Sequence, residues 1–152
     1  FTHIVACDIS DERLEAGRKL GADQLLNTAT SADTVSDLTT LANHRLHSVI
    51  DTVGLPSTVQ LAIATVAKGS CVVIVGLQGG QTELRIPLLP FKALSLTGSY
   101  TGSLEELRQL IAFVQQTDIA MLPISQRPLC CLSEALTDLR NGNAVGRIVL
   151  NP

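Results

Sequence analysis

Aromatic residues are scarce in this chain: three Phe, one Tyr and no Trp among 152 residues. Single-stranded nucleic acid is gripped on aromatic platforms, and duplexes demand clustered positive charge. Here 11 Lys and Arg face 14 Asp and Glu, a net charge of −3, with no run of like sign. Nucleic acid is therefore not expected as a partner. No apolar stretch reaches the roughly 18 residues that span a bilayer, and the N-terminus has no signal-peptide pattern. A cytoplasmic protein without membrane contact is the expectation. Cys-x-x-Cys spacing is also missing. Cys7, Cys71, Cys130 and Cys131 read as buried free thiols in a reducing compartment. The chain starts at Phe1 and enters a strand-like run at once, as expected of a fragment of a longer polypeptide.

What is present suits one globular domain, with 45% hydrophobic residues. Short β-branched, near-continuously apolar runs recur at residues 3–7, 24–26, 48–50, 71–75 and 94–97. That pattern predicts parallel strands covered on both faces. Helical patterns fill the gaps. Ser10 caps a helix through Leu20, with Gly21 as its stop. A second runs from Asp33 to Ala42 on Val35, Leu38 and Leu41. A third, Ser57 to Lys68, turns Val59, Ile63 and Val66 to one side. A fourth, Ser103 to Gln116, opens on a Ser103/Glu106 capping box and buries Leu107, Leu110, Ile111 and Val114. Strict alternation of strand and helix implies an α/β fold with a parallel sheet. After about Ala120 the pattern changes. Pro123 and Pro128 interrupt it, a strand is expected at 129–132, a short helix capped by Ser133 ends at Asn141-Gly142, and a last strand covers 146–150.

Asp8 sits where the first strand runs out, before a helix. Ligands of doubly wound sheets bind at the carboxyl ends of strands. A carboxylate there can accept hydrogen bonds from both hydroxyls of a ribose and repels a 2′-phosphate, favouring NAD over NADP. The competing reading is a loop acid or helix cap. The Gly-rich phosphate loop belongs about 20 residues before such an acid, and only seven residues precede Asp8. On the cofactor reading the first strand and its loop lie outside this chain.

The ordered blocks CDISDERLEAGRKLGAD (7–23), VIDTVG (49–54), VVIVGL (72–77), LTGSYTGS (96–103) and GRIVL (146–150) resemble the cofactor-binding part of zinc-type medium-chain alcohol dehydrogenases. The resemblance implies a Rossmann-type doubly wound parallel sheet lacking its first strand and Gly-rich loop. It implies a truncated NAD-binding domain over 1–118 and a segment over 119–152 that returns toward an absent catalytic domain. By the same resemblance Asp8 holds the adenosine ribose and Arg13 lines the adenosine pocket. Thr52, Val53 and Gly54 lie beneath the adenosine and its ribose. Val75, Gly76 and Leu77 lie beside the nicotinamide, whose carboxamide meets Ser99, Tyr100 and Thr101 through backbone groups. Arg147 reaches the pyrophosphate. Bland alternatives stand beside these roles: Arg13 as a solvated residue paired with Asp11 or Glu12, the glycines as ordinary turns, and Arg147 as a surface cation.

No catalytic residue is expected in this chain. His3, His44 and His47 lack cysteines at ligand spacing; the resemblance implies that zinc belongs to the absent catalytic domain. Asp51 is expected to fix the turn after its strand. The resemblance implies hydride transfer between an alcohol or carbonyl substrate and nicotinamide in the parent protein, with the fragment itself inactive. It also implies a homo-oligomer through the 94–100 edge strand, flanked by residues 84–91. Rival readings are a zinc-free quinone-reductase-like member, an S-adenosylmethionine-dependent methyltransferase, and a nucleotide-sensing domain. The methyltransferase would need an antiparallel C-terminal strand.

Overall fold

The computed structural model describes residues 3–152. In chain order its elements are β1 (Val5–Asp8), α1 (Asp11–Lys19), β2 (Gln24–Asn27), α2 (Thr34–Leu41), β3 (Ser48–Asp51), α3 (Pro56–Thr65) and β4 (Cys71–Ile74). There follow α4 (Leu88–Lys92), β5 (Ser95–Gly98), α5 (Leu104–Gln116), β6 (Ile124–Pro128), a 3-10 turn (Leu129–Cys131), α6 (Leu132–Arg140) and β7 (Arg147–Asn151). Every strand pairing is parallel among the described residues. The α/β, parallel-sheet expectation holds, and no antiparallel C-terminal strand of the methyltransferase kind is seen among them. The chain divides into two compact units: the described residues up to Thr30 with Thr117–Pro152, and Ser31–Gln116.

The first unit opens with a βαβ element. β1 and β2 pair from Val5 opposite Gln24 to Asp8 opposite Asn27. Ser10 caps α1 by accepting the Arg13 amide at 3.4 Å, and Asp11 and Glu12 fill the first turn, where unpaired amides favour negative charge. A Cβ on Gly17 would lie 3.5 Å from that of Ala6, so Ala6 faces α1. By the two-residue period of a strand, Asp8 shares that face. The unit's second strand pair, β6 and β7, comes from the C-terminal segment.

Two expectations fail in that segment. The strand predicted at 129–132 lies upstream, between the prolines, because Pro128 lacks the N–H that would continue the ladder. Leu129–Cys131 turns into α6 instead, and the cap position falls to Cys131, leaving Ser133 inside the helix. The cysteines are free, as expected, but not buried: Cys7 and Cys130 are exposed, and Cys71 and Cys131 half-buried. Cys130 and Cys131 occupy the surface 3-10 turn rather than a core strand.

In the second unit the order is β3-β4-β5. Its core is Val59, Ala62, Ile63, Val66, Val72 and Leu94, so the predicted stripe of α3 is buried as a set. Pro56 occupies the first turn of α3, where its missing N–H costs nothing. The opposite sheet face is open, with Ile50 and Thr97 exposed; the helix packed on β3 and β4 is α3. The helix expected from Asp33 forms as α2, with the Asp33 side chain as its cap on the Ser36 amide at 3.0 Å; of its expected stripe Leu38 is buried and Val35 exposed. In α5 the capping box forms in both directions, at 2.6 and 3.2 Å. The predicted burial of its stripe does not follow: Leu107, Leu110 and Ile111 are exposed. Periodicity marks the apolar face of a helix, not whether anything covers it.

Candidate functional site

The first unit holds Asp8, Arg13 and Arg147. Asp8 ends β1, and its Oδ1 accepts three hydrogen bonds, from the Ile9 amide at 2.7 Å, the Ser10 amide at 3.0 Å and Arg13 Nε at 2.9 Å, with Arg13 Nη2 in ion-pair contact at 2.8 Å. None of these bonds uses Oδ2. Partial burial raises the carboxyl pKa, but the Arg13 hydrogen bond, the Ser10 amide, the Arg13 charge and the Ile9 amide together outweigh it. The net shift is downward, and Asp8 is held ionised. Oδ1 thus orders the entry to α1, the loop-acid role, while Oδ2 takes no part in these contacts.

Arg13 pairs with Asp8 rather than with Asp11 or Glu12. Asp11 instead accepts from Asn27 at 2.6 Å. The third arm of the guanidinium donates to the Gly142 carbonyl at 2.9 Å. No sequence signal pointed to that partner. Arg147 opens β7, with its amide on the Pro123 carbonyl at 2.9 Å. Its side chain is exposed and makes no hydrogen bond or ion pair among the described residues.

The second unit gathers the other predicted residues at the carboxyl ends of adjacent strands. The loops after β3 and β4 are laced together. Val75 and Gly76 amides donate to the Asp51 carbonyl at 2.8 and 3.0 Å, and Gln78 and Gly79 amides donate to Val53 and Gly54 at 3.2 and 3.1 Å. A Cβ on Gly54 would overlap the Gly76 carbonyl, and one on Gly76 would overlap the Val53 backbone. Both glycines are therefore required by the crossing of the two loops. Ser99, Tyr100 and Thr101 follow β5, with the Ser99 amide on the Ile74 carbonyl at 2.9 Å. Thr52, Leu77 and Tyr100 are exposed.

Asp51 fixes its turn, as expected. It is 5% exposed, and its oxygens accept from the Val53 and Gly54 amides at 2.9 and 3.0 Å and from the Thr58 hydroxyl at 2.7 Å. The sequence signal for Thr58 is its place three residues into a helix opening, a capping position, where its hydroxyl also accepts the Leu55 amide at 3.1 Å. Among the described residues no three His, Cys, Asp or Glu side chains converge as metal ligands. No helix among them is long and apolar enough to cross a membrane.

Parallel βαβ construction, with an ionised acid at a strand's carboxyl end, defines the chain as part of a Rossmann-type, cofactor-binding α/β domain. It belongs to the zinc-binding dehydrogenase family, whose description matches residues 1–116. An NAD-dependent alcohol dehydrogenase of Sulfurisphaera tokodaii is 29% identical over 150 residues, covering 98% of this chain and 43% of that protein. The crystal structure of the alcohol dehydrogenase of Aeropyrum pernix superimposes with a TM-score of 0.87 at 26% identity, over 97% of this chain and 42% of that one. A quinone oxidoreductase of Pseudomonas syringae shares the fold, with a TM-score of 0.75 at 19% identity, over 99% of this chain and 49% of that one. The chain spans less than half the length of these proteins.

Proposed function

We propose that this chain is the cofactor-binding portion of an NAD-dependent alcohol dehydrogenase-like oxidoreductase, and that Asp8 receives the adenosine ribose. The observation that carries the reading is the state of Asp8: ionised, at the end of β1, with Oδ1 saturated and Oδ2 untouched by the same contacts. The chemistry fits NAD. A carboxylate accepts from ribose hydroxyls and repels the 2′-phosphate of NADP. Arg147, exposed and unpaired among the described residues, suits a pyrophosphate because its planar fork pairs two oxygens. The loops at 52–54, 75–77 and 99–101 take the adenosine and nicotinamide roles that the resemblance implies. When bound, the nicotinamide supplies the hydride acceptor or donor for an alcohol or carbonyl substrate. This chain's residues hold and orient the cofactor; none is assigned to zinc or to the reacting carbon. A homo-oligomer through β5 and a cytoplasmic location complete the reading.

The test uses the intact protein, with NAD and NADP compared over a series of primary and secondary alcohols. Wild type is expected to prefer NAD. In Asp8→Ala the loss of charge-assisted hydrogen bonds, about 1.5–3 kcal/mol, weakens NAD roughly 10- to 100-fold and narrows the preference. Equal use of NADP by wild type, or undiminished NAD affinity in Asp8→Ala, would refute the assignment. An active but zinc-free enzyme would move the protein to the quinone-reductase branch.

A further inference from the structure

Arg13 does more than neutralise Asp8. Its Nε and Nη2 are on Asp8 Oδ1 at 2.9 and 2.8 Å, while Nη1 holds the Gly142 carbonyl at 2.9 Å. A guanidinium is planar and rigid, so these contacts cannot be adjusted independently. Gly142 closes α6. Its amide donates to the Leu139 carbonyl at 3.2 Å, and the Asn143 amide donates to that of Asp138 at 2.9 Å. The stretch then reaches Gly146, where a Cβ would overlap the Pro123 carbonyl, and Arg147, whose amide donates to the same oxygen at 2.9 Å. Residues 142–147 are thus fixed to β6 at one end and to Arg13 at the other.

We propose that Arg13 is a positioning residue, a strut that holds Asp8 and the Gly142 turn in one geometry, so that a ribose on Asp8 orders the segment leading to Arg147. The proposal rests on the ribose reading of Asp8 and deepens it. A ribose that bonds Oδ2 leaves Oδ1 with Arg13, and steadying the carboxylate steadies the guanidinium and its third partner. The coupling is reciprocal: whatever loosens the turn weakens the ribose, and the reverse. Around Asp8, α1 supplies Arg13 with Asp11 and Glu12 in the same turn, β2 ends in uncharged Asn27, and the 141–143 turn offers the Gly142 carbonyl. Arg13 is the charge that acts on Asp8 among the described residues.

The test compares wild type, Arg13→Met and Arg13→Lys in the intact protein. Two measurements need no cofactor: carbon NMR titration of the Asp8 carboxyl, and hydrogen exchange of the Gly142, Asn143 and Arg147 amides. In Arg13→Met the Asp8 midpoint is expected to rise toward the ordinary aspartate range, and the turn amides to exchange at least tenfold faster. Arg13→Lys restores the charge but not the fork, so Asp8 stays low while the turn still exchanges fast. Unchanged exchange of the β2 and β6 amides of the same unit, and of the β3–β5 amides, shows that the variants fold. Adding NAD slows the turn amides in wild type and not in Arg13→Met. Turn exchange within twofold of wild type in Arg13→Met, or an unmoved Asp8 midpoint, overturns the strut. NAD binding that leaves wild-type turn exchange unchanged overturns the coupling. Failure of wild type to bind NAD overturns the cofactor reading, and with it the ribose step, while the strut stands or falls on the two cofactor-free measurements.

Discussion

Asp8 and Asp51 pose the same question and receive different answers. Each is the last residue of a parallel strand, followed by a loop into a helix. Asp51 spends both oxygens on its own turn and is 5% exposed; Asp8 spends one and keeps a third of its side-chain surface. The distinction was legible in sequence because Asp51 precedes Thr-Val-Gly, a turn that needs a local acceptor, whereas Asp8 precedes a helix already capped by Ser10. The partner of Arg13 was not legible, since Gly142 lies 129 positions away and offers only a backbone oxygen. Asp51→Ala leaves two turn amides and the Thr58 hydroxyl without their buried acceptor and is expected to cost about 3 kcal/mol, against ~1 kcal/mol for Asp51→Asn, which keeps one acceptor. Urea unfolding of both variants checks this. A loss below about 1 kcal/mol in Asp51→Ala would show that the turn holds without its acid.

Among the elements, α3 shows how far periodicity carries and where it stops. Its buried face was readable from Val59, Ile63 and Val66. Its end was not: the pattern ran to Lys68, whereas the helix closes at Thr65. The closure involves a side chain from elsewhere. Lys92, at the end of α4, donates to the carbonyls of Ile63, Ala64 and Val66 at 2.8, 3.1 and 3.1 Å. A helix C-terminus exposes unpaired carbonyls and attracts a cation, and α3 has no basic residue in its own last turn. Lys92→Met keeps the aliphatic stem and removes the ammonium, so it isolates this effect. It is expected to destabilise by about 1–2 kcal/mol in thermal or urea unfolding, and Lys92→Arg to recover part of the loss. Stability equal to wild type in Lys92→Met would mean that water replaces the cap at no cost. The misplaced strand at 129–132 and the bare stripe of α5 have a related cause. An apolar run reports a wish for burial, while prolines and the presence of a neighbour decide which element forms and what it meets.

For the protein as a whole, the open edge of β5 carries the most consequence. β5 pairs with β4 on one side, and all four of its residues are exposed. A strand edge presents a row of unpaired N–H and C=O groups, and an edge left long, flat and apolar invites another chain. Around β5 the exposed side chains are large and apolar: Phe91 and Tyr100 at 73% and Ile86 at 74%, with Leu96 on the strand itself at 37%. A second copy of the same strand satisfies this edge if a two-fold axis sets the two antiparallel, because each residue near the axis then meets its own counterpart. That geometry makes one substitution decisive. Leu96→Lys brings like charges together across the axis in the dimer, whereas in the monomer the long stem carries the ammonium out past the part of residue 96 already exposed. Wild type is expected to sediment as a dimer at micromolar concentration, and Leu96→Lys as a monomer with unchanged far-ultraviolet circular dichroism. A wild-type monomer over that range, or a Leu96→Lys dimer as tight as wild type, would place the interface elsewhere.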